Sequence, residues 1–136
     1  MALVELGRSR DWRDRADAGH SLAGFAEMQE AVEPLLELLL DPTDTFVTRR
    51  TAEGLLRRKD GVGLTIVASA LAVADSNHGD WIHTAIVEVL GIYSDDLREA
   101  LRLSEEMSRD TEGRAALGAR QLQEILAEID PVLRPA

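Results

Sequence analysis

The sequence predicts an all-α protein made of stacked helical hairpins. One helical signature recurs along the chain, at residues 14–23 (DRADAGHSLA), 47–56 (VTRRTAEGLL) and 82–91 (IHTAIVEVLG), with a fainter copy at 114–123 (RAALGARQLQ). The steps are 33, 35 and 32 residues when the copies are aligned on Leu22, Leu55, Leu90 and Leu122. Periods of this length are typical of helical repeat stacks. We therefore expect a short right-handed α-solenoid of about three and a half hairpins and about seven helices.

Composition limits the class of protein. A length of 136 residues fits one domain, expected at residues 11–136 after a poorly ordered segment at 1–10. The chain has no cysteine, which excludes disulfides and thiolate metal sites. Its formal net charge of −10 repels nucleic acid and anionic lipid and attracts a basic protein. Neither a signal peptide nor a membrane-spanning segment is evident, so we expect a cytoplasmic protein.

The first hairpin is predicted at residues 11–25 and 30–40. Pro34 falls in or near the first turn of the second helix, where a missing N–H group is tolerated. The leucines that follow give this helix a broad apolar face, while Glu33 and Glu37 lie one turn apart on another face. The helix is expected to end at Asp41, before a proline, and Asp44 to cap the next helix.

The second hairpin contains the most apolar segment of the chain. Its first helix is predicted at residues 45–58, followed by a turn with a C-cap glycine nearby, Gly61. Its second helix is predicted at residues 62–74, where no residue is charged. A helix that is apolar on nearly every side must be covered on nearly every side, so we expect it at the centre of the stack.

Turn signals divide the rest of the chain into three helices. Residues 75–79 (DSNHG) are predicted to form a loop, and Asp80 to cap a helix at 81–93. Ser94 or Asp95 is expected to cap the next helix, at 96–108. The last helix is expected at 111–129, with the polar outer face that a terminal repeat requires.

The repeat resembles the HEAT family, close to its bacterial short-repeat branch, over roughly residues 12–126. The second copy matches at Asp44, Val47, Arg49 or Arg50, Ala52 and Leu55; the third at Asp80, Ile82, Ala85, Leu90 and Gly91; the first at Arg15, Ala18, Leu22 and Ala23. His83 stands where the family usually has arginine. The resemblance implies close helix contacts at the small residues and an arginine that bonds the turn of a neighbouring repeat. It also implies a binding scaffold, by analogy of fold.

Signatures of catalysis or of cofactor binding are weak. His78, Asp80 and His83 are spaced unlike the common zinc motifs, so we interpret them as turn and helix residues rather than metal ligands. Gly61 and Gly63 lack the strand and the third glycine of a dinucleotide turn. No local pattern pairs a nucleophile with a base. We therefore expect a non-catalytic protein without a cofactor or a metal ion.

Residues outside the repeat pattern offer three candidate surfaces. The basic run from Arg49 to Lys59 is interpreted as a solvated face. Trp12 and Trp81 occupy equivalent repeat positions and are either plugs between repeats or anchors for a partner. The third surface is acidic and lies on the second helices of the hairpins, which line the concave face of HEAT-like stacks. Its candidate partner-binding residues are Glu33, Glu37, Asp41, Asp75, Glu99, Arg102 and Glu106.

The function that we expect is binding of a basic protein or peptide through this acidic face. One version is an inhibitor or immunity-type protein that neutralises a basic enzyme such as a nuclease. Two alternatives remain open. The short bacterial HEAT-like repeats are also similar to bilin lyases, which act on a tetrapyrrole chromophore, and a short stack with apolar ends is able to form a weak homo-oligomer.

Overall fold

The computed structural model describes residues 1–109 and 113–134, and within these ranges the protein is all-α. Its helices are α1 (Ala2–Leu6), α2 (Trp12–Leu22), α3 (Gln29–Leu39), α4 (Thr45–Leu56), α5 (Gly61–Val73), α6 (Ser76–Leu90), α7 (Ser94–Arg109) and α8 (Arg114–Ala127). A short 3₁₀ helix, Ala23–Phe25, follows α2. The described part contains no named strand, only an isolated bridge between Tyr93 and Leu133. The last helix was predicted to start at Thr111, and this residue lies outside the described residues.

Aspartate side chains begin four of the helices. The carboxylates of Asp11, Asp44 and Asp60 each accept a hydrogen bond from a backbone N–H in the first turn of α2, α4 and α5, at 2.9 Å. The cap predicted at Asp44 is therefore confirmed. For α6 the cap is Asp75, which accepts from the N–H of His78 at 2.8 Å. A side-chain acceptor of this kind satisfies an N–H group that has no partner within the helix.

Two local predictions differ from the structure. The predicted loop at 75–79 is wrong, because Asp75 caps a helix that begins at Ser76 and so places Asp80 inside α6 rather than at its cap. The turn before α5 uses Lys59 in the left-handed region, with φ 55°, while Gly61 opens the helix. Residues 1–10 contain α1, whose Leu3 and Val4 pack against the core.

The longer helices form two rows. In the first row α4 packs between α2 and α6; in the second row α5 contacts α3 and α7 but packs most extensively against α8. The rows meet through contacts of α4 with α3 and α5, and the buried leucine, valine, isoleucine and alanine side chains between them form one core. Gly54 lies at a close crossing, because a β-carbon there would stand 2.9 Å from the Cβ of Ala23. This confirms the expected role of a small residue at that position.

The last helix does not continue the first row. Instead of stacking on α6, α8 packs mainly against α5 and α7. Gly118 permits this contact, because a β-carbon at that position would overlap the backbone carbonyl of Ala68 in α5. Leu122 and Leu126 are fully buried on this face of α8. The uncharged helix α5 is thereby covered by α3, α4, α7 and α8.

None of the helices within the described ranges combines the length and the apolarity needed to cross a bilayer.

Replacing Gly118 with alanine tests the contact between α5 and α8. Gly118→Ala should lower the free energy of unfolding by about 3 kcal/mol, because the new methyl group has to displace the backbone of α5. The matched control is Gly79→Ala in α6, where a β-carbon meets nothing within 4 Å. That substitution should stabilise by up to about 1 kcal/mol, since alanine is the better helix former. Urea unfolding measures both, and equal effects would contradict the proposed packing.

Candidate functional site

An open apolar groove of about 370 Å³ lies between α3 and α5. We call it the α5 groove. Its lining residues are Ala26, Val32, Leu36, Gly61, Val62, Thr65, Ile66 and Ser69. No lining residue is charged, and Val62 is 38% exposed. The groove is therefore a part of the uncharged helix α5 that its neighbouring helices leave open.

The two hydroxyl groups in the α5 groove are engaged within the helix itself. Thr65 donates to the carbonyl oxygen of Gly61 at 2.6 Å, and Ser69 donates to the carbonyl oxygen of Thr65 at 2.9 Å. Each hydroxyl has a single proton, so neither has one left to orient a bound polar molecule. The groove consequently presents carbon atoms and methyl groups to an occupant.

The helix on one side of the groove is acidic. α3 carries Glu30, Glu33 and Glu37 and no basic residue. All three glutamates are exposed, and none forms an ion pair with a described residue. Glu33 follows the lining residue Val32 on the exposed face, whereas Glu37 lines a second cleft, beside α1. One unpaired carboxylate, that of Glu33, thus lies on α3 next to a residue of the groove lining.

Helix α7, which contacts α5 but does not line the groove, is also acidic. The hydroxyl oxygen of Thr65 is 3.2 Å from the sulfur of Met107, which places the C-terminal half of α7 beside α5. On α7, Arg102 donates to Glu99 at 2.5 and 2.9 Å and to Glu106 at 2.6 Å. The hydrogen bond from Arg102 lowers the pKa of Glu99. This exposed cluster of two carboxylates and one guanidinium keeps a net negative charge.

Asp41 forms a buried ion pair with Arg15 and does not belong to an open surface. Only 4% of the residue is exposed. Its carboxylate accepts from the Arg15 guanidinium at 2.8 and 3.3 Å and from the backbone N–H groups of Thr43 and Asp44. Burial alone would raise the pKa of Asp41, but these donors hold the pKa below its usual value. The arginine expected to bond a neighbouring turn is therefore present, as Arg15.

His78 links the third hairpin to the same turn. Its Nε2 lies 2.7 Å from the carbonyl oxygen of Asp41, and its Nδ1 lies 2.8 Å from the carboxylate of Asp75. Both oxygens only accept, so both bonds form only when the imidazole carries two protons. The bond to Asp41 raises the pKa of His78; burial opposes this rise and Asp75 adds to it. The charged ring thus joins two inter-hairpin turns.

The seven predicted partner-binding residues lie in three groups. Asp41 and Asp75 are committed to the inter-hairpin turns. Glu33 and Glu37 lie on α3, and the Glu99, Arg102 and Glu106 cluster lies on α7, so these two groups stand on either side of α5. Sequence reasoning missed the α5 groove between them. Its signal was the uncharged helix itself, which we expected to be covered on nearly every side.

Four of the five basic residues in the run from Arg49 to Lys59 form ion pairs with described residues. Arg49 contacts Glu53 at 3.2 Å and Glu88 at 2.9 Å, and Arg50 contacts Glu53 at 3.1 Å. At the end of α4, Arg58 pairs with Glu27 and Asp60, and Lys59 with Asp96. These pairs leave little net positive charge on α4.

Three aromatic residues lie at similar places in the helices of the first row. Trp12, Phe46 and Trp81 are 41%, 43% and 36% exposed, and each lies in the N-terminal half of its helix. The rings of Trp12 and Phe46 meet edge to face, with centroids 5.5 Å apart. The two tryptophans are therefore only partly covered by the contacts between hairpins.

Histidine and carboxylate groups do not converge on a metal site in the part of the chain that the structure describes. Both ring nitrogens of His78 are engaged by Asp75 and Asp41, while Asp80 and His83 are exposed on α6.

Comparison with known proteins gives little further information. No protein-family model and no curated protein matches the chain. It is similar to a solved structure of an engineered protein, a target of the Northeast Structural Genomics Consortium, with 19% sequence identity and a TM-score of 0.36. The match covers 92% of this chain and 61% of the engineered one. A likeness this weak defines neither a fold family nor a function.

The substitution Asp41→Asn tests the buried ion pair between Arg15 and Asp41. It leaves the Arg15 side chain, which is 13% exposed, without its counter-charge. We expect the free energy of unfolding to fall by about 3 kcal/mol. The control is Asp95→Asn, which removes an exposed pair with Arg98 and should have no measurable effect. A loss at Asp41 no larger than at Asp95 would show that the buried pair does not hold the hairpins together.

The raised pKa of His78 predicts a loss of stability at alkaline pH. Because the pKa is higher in the folded state, the contribution of His78 is complete below the unfolded value of 6.5 and disappears as the pH rises through the folded value. The loss should be about 1 kcal/mol, as for one hydrogen bond. Burial and Arg50 lower the pKa of His20, so its effect has the opposite sign and lies at acidic pH.

Urea unfolding at a series of pH values from 6.5 upwards measures this effect. The control is His78→Gln, whose amide does not titrate, and its stability should lack the alkaline decrease. Asp75, Asp41 and Arg15 are the charged groups around the ring, and all three keep their charge over this range. The same decrease in both proteins would rule out His78 as its source.

Proposed function

We propose that the protein is a non-catalytic binding module for a basic protein or peptide. The two rows of helices would act as a short HEAT-like solenoid that presents α3, α5 and α7 to the partner. An inhibitor or immunity-type protein that neutralises a basic enzyme is one form of this function. The observation that carries the proposal is the pattern of charge on this surface, which has an uncharged centre and an acidic helix on each side.

Charge supports this surface over the others. α3 has three glutamates without an ion-pair partner among the described residues, and α7 has five acidic residues against three basic ones. The arginines of α4 are instead paired with Glu53 and Glu88. A surface with unpaired carboxylates speeds association with a basic partner and orients it. The binding that we propose is therefore sensitive to salt.

The bilin-lyase alternative receives less support. Such a pocket needs an aromatic floor and an arginine to hold the propionate groups. No aromatic residue and no arginine lines the α5 groove. Trp12 and Phe46 pack together on the first row instead.

Charge reversal on α3 tests the proposal. Immobilised wild-type protein and the variant Glu33→Lys/Glu37→Lys are each used to capture partners from the native cell. Proteins retained by the wild type alone are purified and titrated against both forms. The variant should bind at least about tenfold more weakly, because it juxtaposes like charges. Wild-type affinity should also fall by about tenfold between roughly 0.05 and 0.5 M salt.

The control for charge reversal is Asp17→Lys/Glu124→Lys. It changes the net charge by the same amount at exposed positions on α2 and α8. If this control weakens binding as much as the α3 variant, only the overall charge matters. If neither salt nor the α3 variant changes the affinity, the acidic surface is not the binding site.

A second proposal is weak self-association at the outer side of α6. A cleft of about 470 Å³ lies there between α6, α8 and the C-terminal segment. Three apolar residues around it are substantially exposed, namely Val87 (42%), Ile92 (40%) and Val132 (76%). Light scattering at high protein concentration should detect a dimer that Val87→Glu abolishes. A wild-type protein that remains monomeric at high concentration would contradict this proposal.

A further inference from the structure

We propose that the α5 groove seats the apolar stripe of an amphipathic, basic α-helix from the partner. This inference rests on the function proposed above and specifies the partner's shape and chemistry. It adds one claim to that function, namely that apolar contact in the groove supplies part of the affinity beyond the attraction between charges.

The lining of the groove favours an apolar side chain over a polar small molecule. Val32, Leu36, Val62 and Ile66 supply its walls and floor, and the hydroxyl protons of Thr65 and Ser69 are used inside α5. Sites for small molecules combine an apolar cavity with a few polar groups that fix the orientation of the ligand. The α5 groove has no such free donor and no charged group in its lining.

The dimensions fit two adjacent turns of a helix. From Val62 to Ser69 the groove follows α5 for seven residues, which corresponds to about 10 Å at 1.5 Å per residue. Apolar residues at positions i, i+4 and i+7 of a second helix cover the same length. The occupant therefore needs an apolar stripe of about two turns.

The charges beside the groove define the rest of the occupant. Glu33 adjoins the groove on α3, and Glu106 precedes Met107, which contacts the groove residue Thr65 from α7. Lys59 and Arg58, the nearest basic residues before α5, are already paired with Asp96, Asp60 and Glu27. A helix with basic residues on both sides of its apolar stripe is complementary to this arrangement.

A synthetic peptide pair probes the groove without the native partner. One fluorescein-labelled peptide of about 14 residues has leucines at i, i+4, i+7 and i+11 and lysines elsewhere, so that its leucines share one face when it is helical. Its isomer has the same composition with the leucines spread around the helix. Fluorescence anisotropy in about 0.15 M salt measures the affinity of both for the full-length protein.

Substitutions in α5 separate apolar contact from charge attraction. Val62→Glu adds a carboxylate inside the groove, whereas Val73→Glu adds one on the same helix at an exposed residue outside the lining. If apolar contact matters, Val62→Glu should bind the amphipathic peptide about tenfold more weakly, as expected from losing one buried valine. Val73→Glu should bind it at least as tightly as the wild type. Thermal unfolding by circular dichroism checks that both variants fold.

The outcomes distinguish this inference from the function on which it rests. Preference for the amphipathic peptide together with weaker binding by Val62→Glu supports the inference. The inference is overturned if the protein binds the two peptides equally and the Val62→Glu variant binds the amphipathic peptide at least as tightly as the Val73→Glu variant does. Binding by charge attraction would still stand in that case. Binding of neither peptide, or binding that Glu33→Lys/Glu37→Lys leaves unchanged, contradicts both.

Discussion

The absence of charge in α5 is the constraint on which the rest of the structure depends. Thirteen consecutive residues without a charged side chain form this helix, so its surface must be covered by other helices. Four helices cover it, and the last of them, α8, reaches it because Gly118 lets the two backbones approach closely. The strip that stays open is the α5 groove. The packing of the core and the candidate binding surface therefore have one cause.

An ion pair and a hydrogen bond hold the hairpins in register. Both require specific geometry, whereas apolar packing is less directional. Arg15 and Asp41 form a buried ion pair between the first helix of one hairpin and the turn that follows that hairpin. His78 bonds the same turn from the third hairpin. Because a buried charge without its partner is costly, each bond penalises a shifted arrangement of the hairpins. These contacts fix the turn that follows α3 against α2 and α6.

The sequence predicted the helical class and most helix positions, because apolar periodicity and aspartate caps are local signals. It placed α5 at the centre for the right reason. The start of α6 was missed because Ser76, Asn77 and Gly79 are turn-forming residues, whereas the cap at Asp75 and the tertiary bond of His78 hold them in a helix. The position of α8 was also missed. Gly118 allows close approach of a second backbone, but the sequence does not show that this backbone is that of Ala68 in α5.

The site was only partly predictable, because it too depends on contacts between helices that the sequence does not specify. Exposed glutamates at helical spacing were recognisable on α3 and α7, but Asp41 looks like them in sequence and is buried in a salt bridge. The groove depends on which side of α5 remains uncovered, and this is a property of the packing. Phe46 likewise lies at a similar place in its helix to Trp12 and Trp81, which became informative once all three proved to be partly exposed.

Mapping of backbone amide NMR shifts during titration with the amphipathic Leu/Lys peptide tests the central claim most directly. The account predicts that the perturbed amides cluster at residues 32–36 of α3 and 62–69 of α5, with smaller changes on α7 near Met107. Perturbations that cluster around Trp12, Phe46 and Trp81 on the first row would contradict it. In that case the partner-binding surface would be the opposite row of helices.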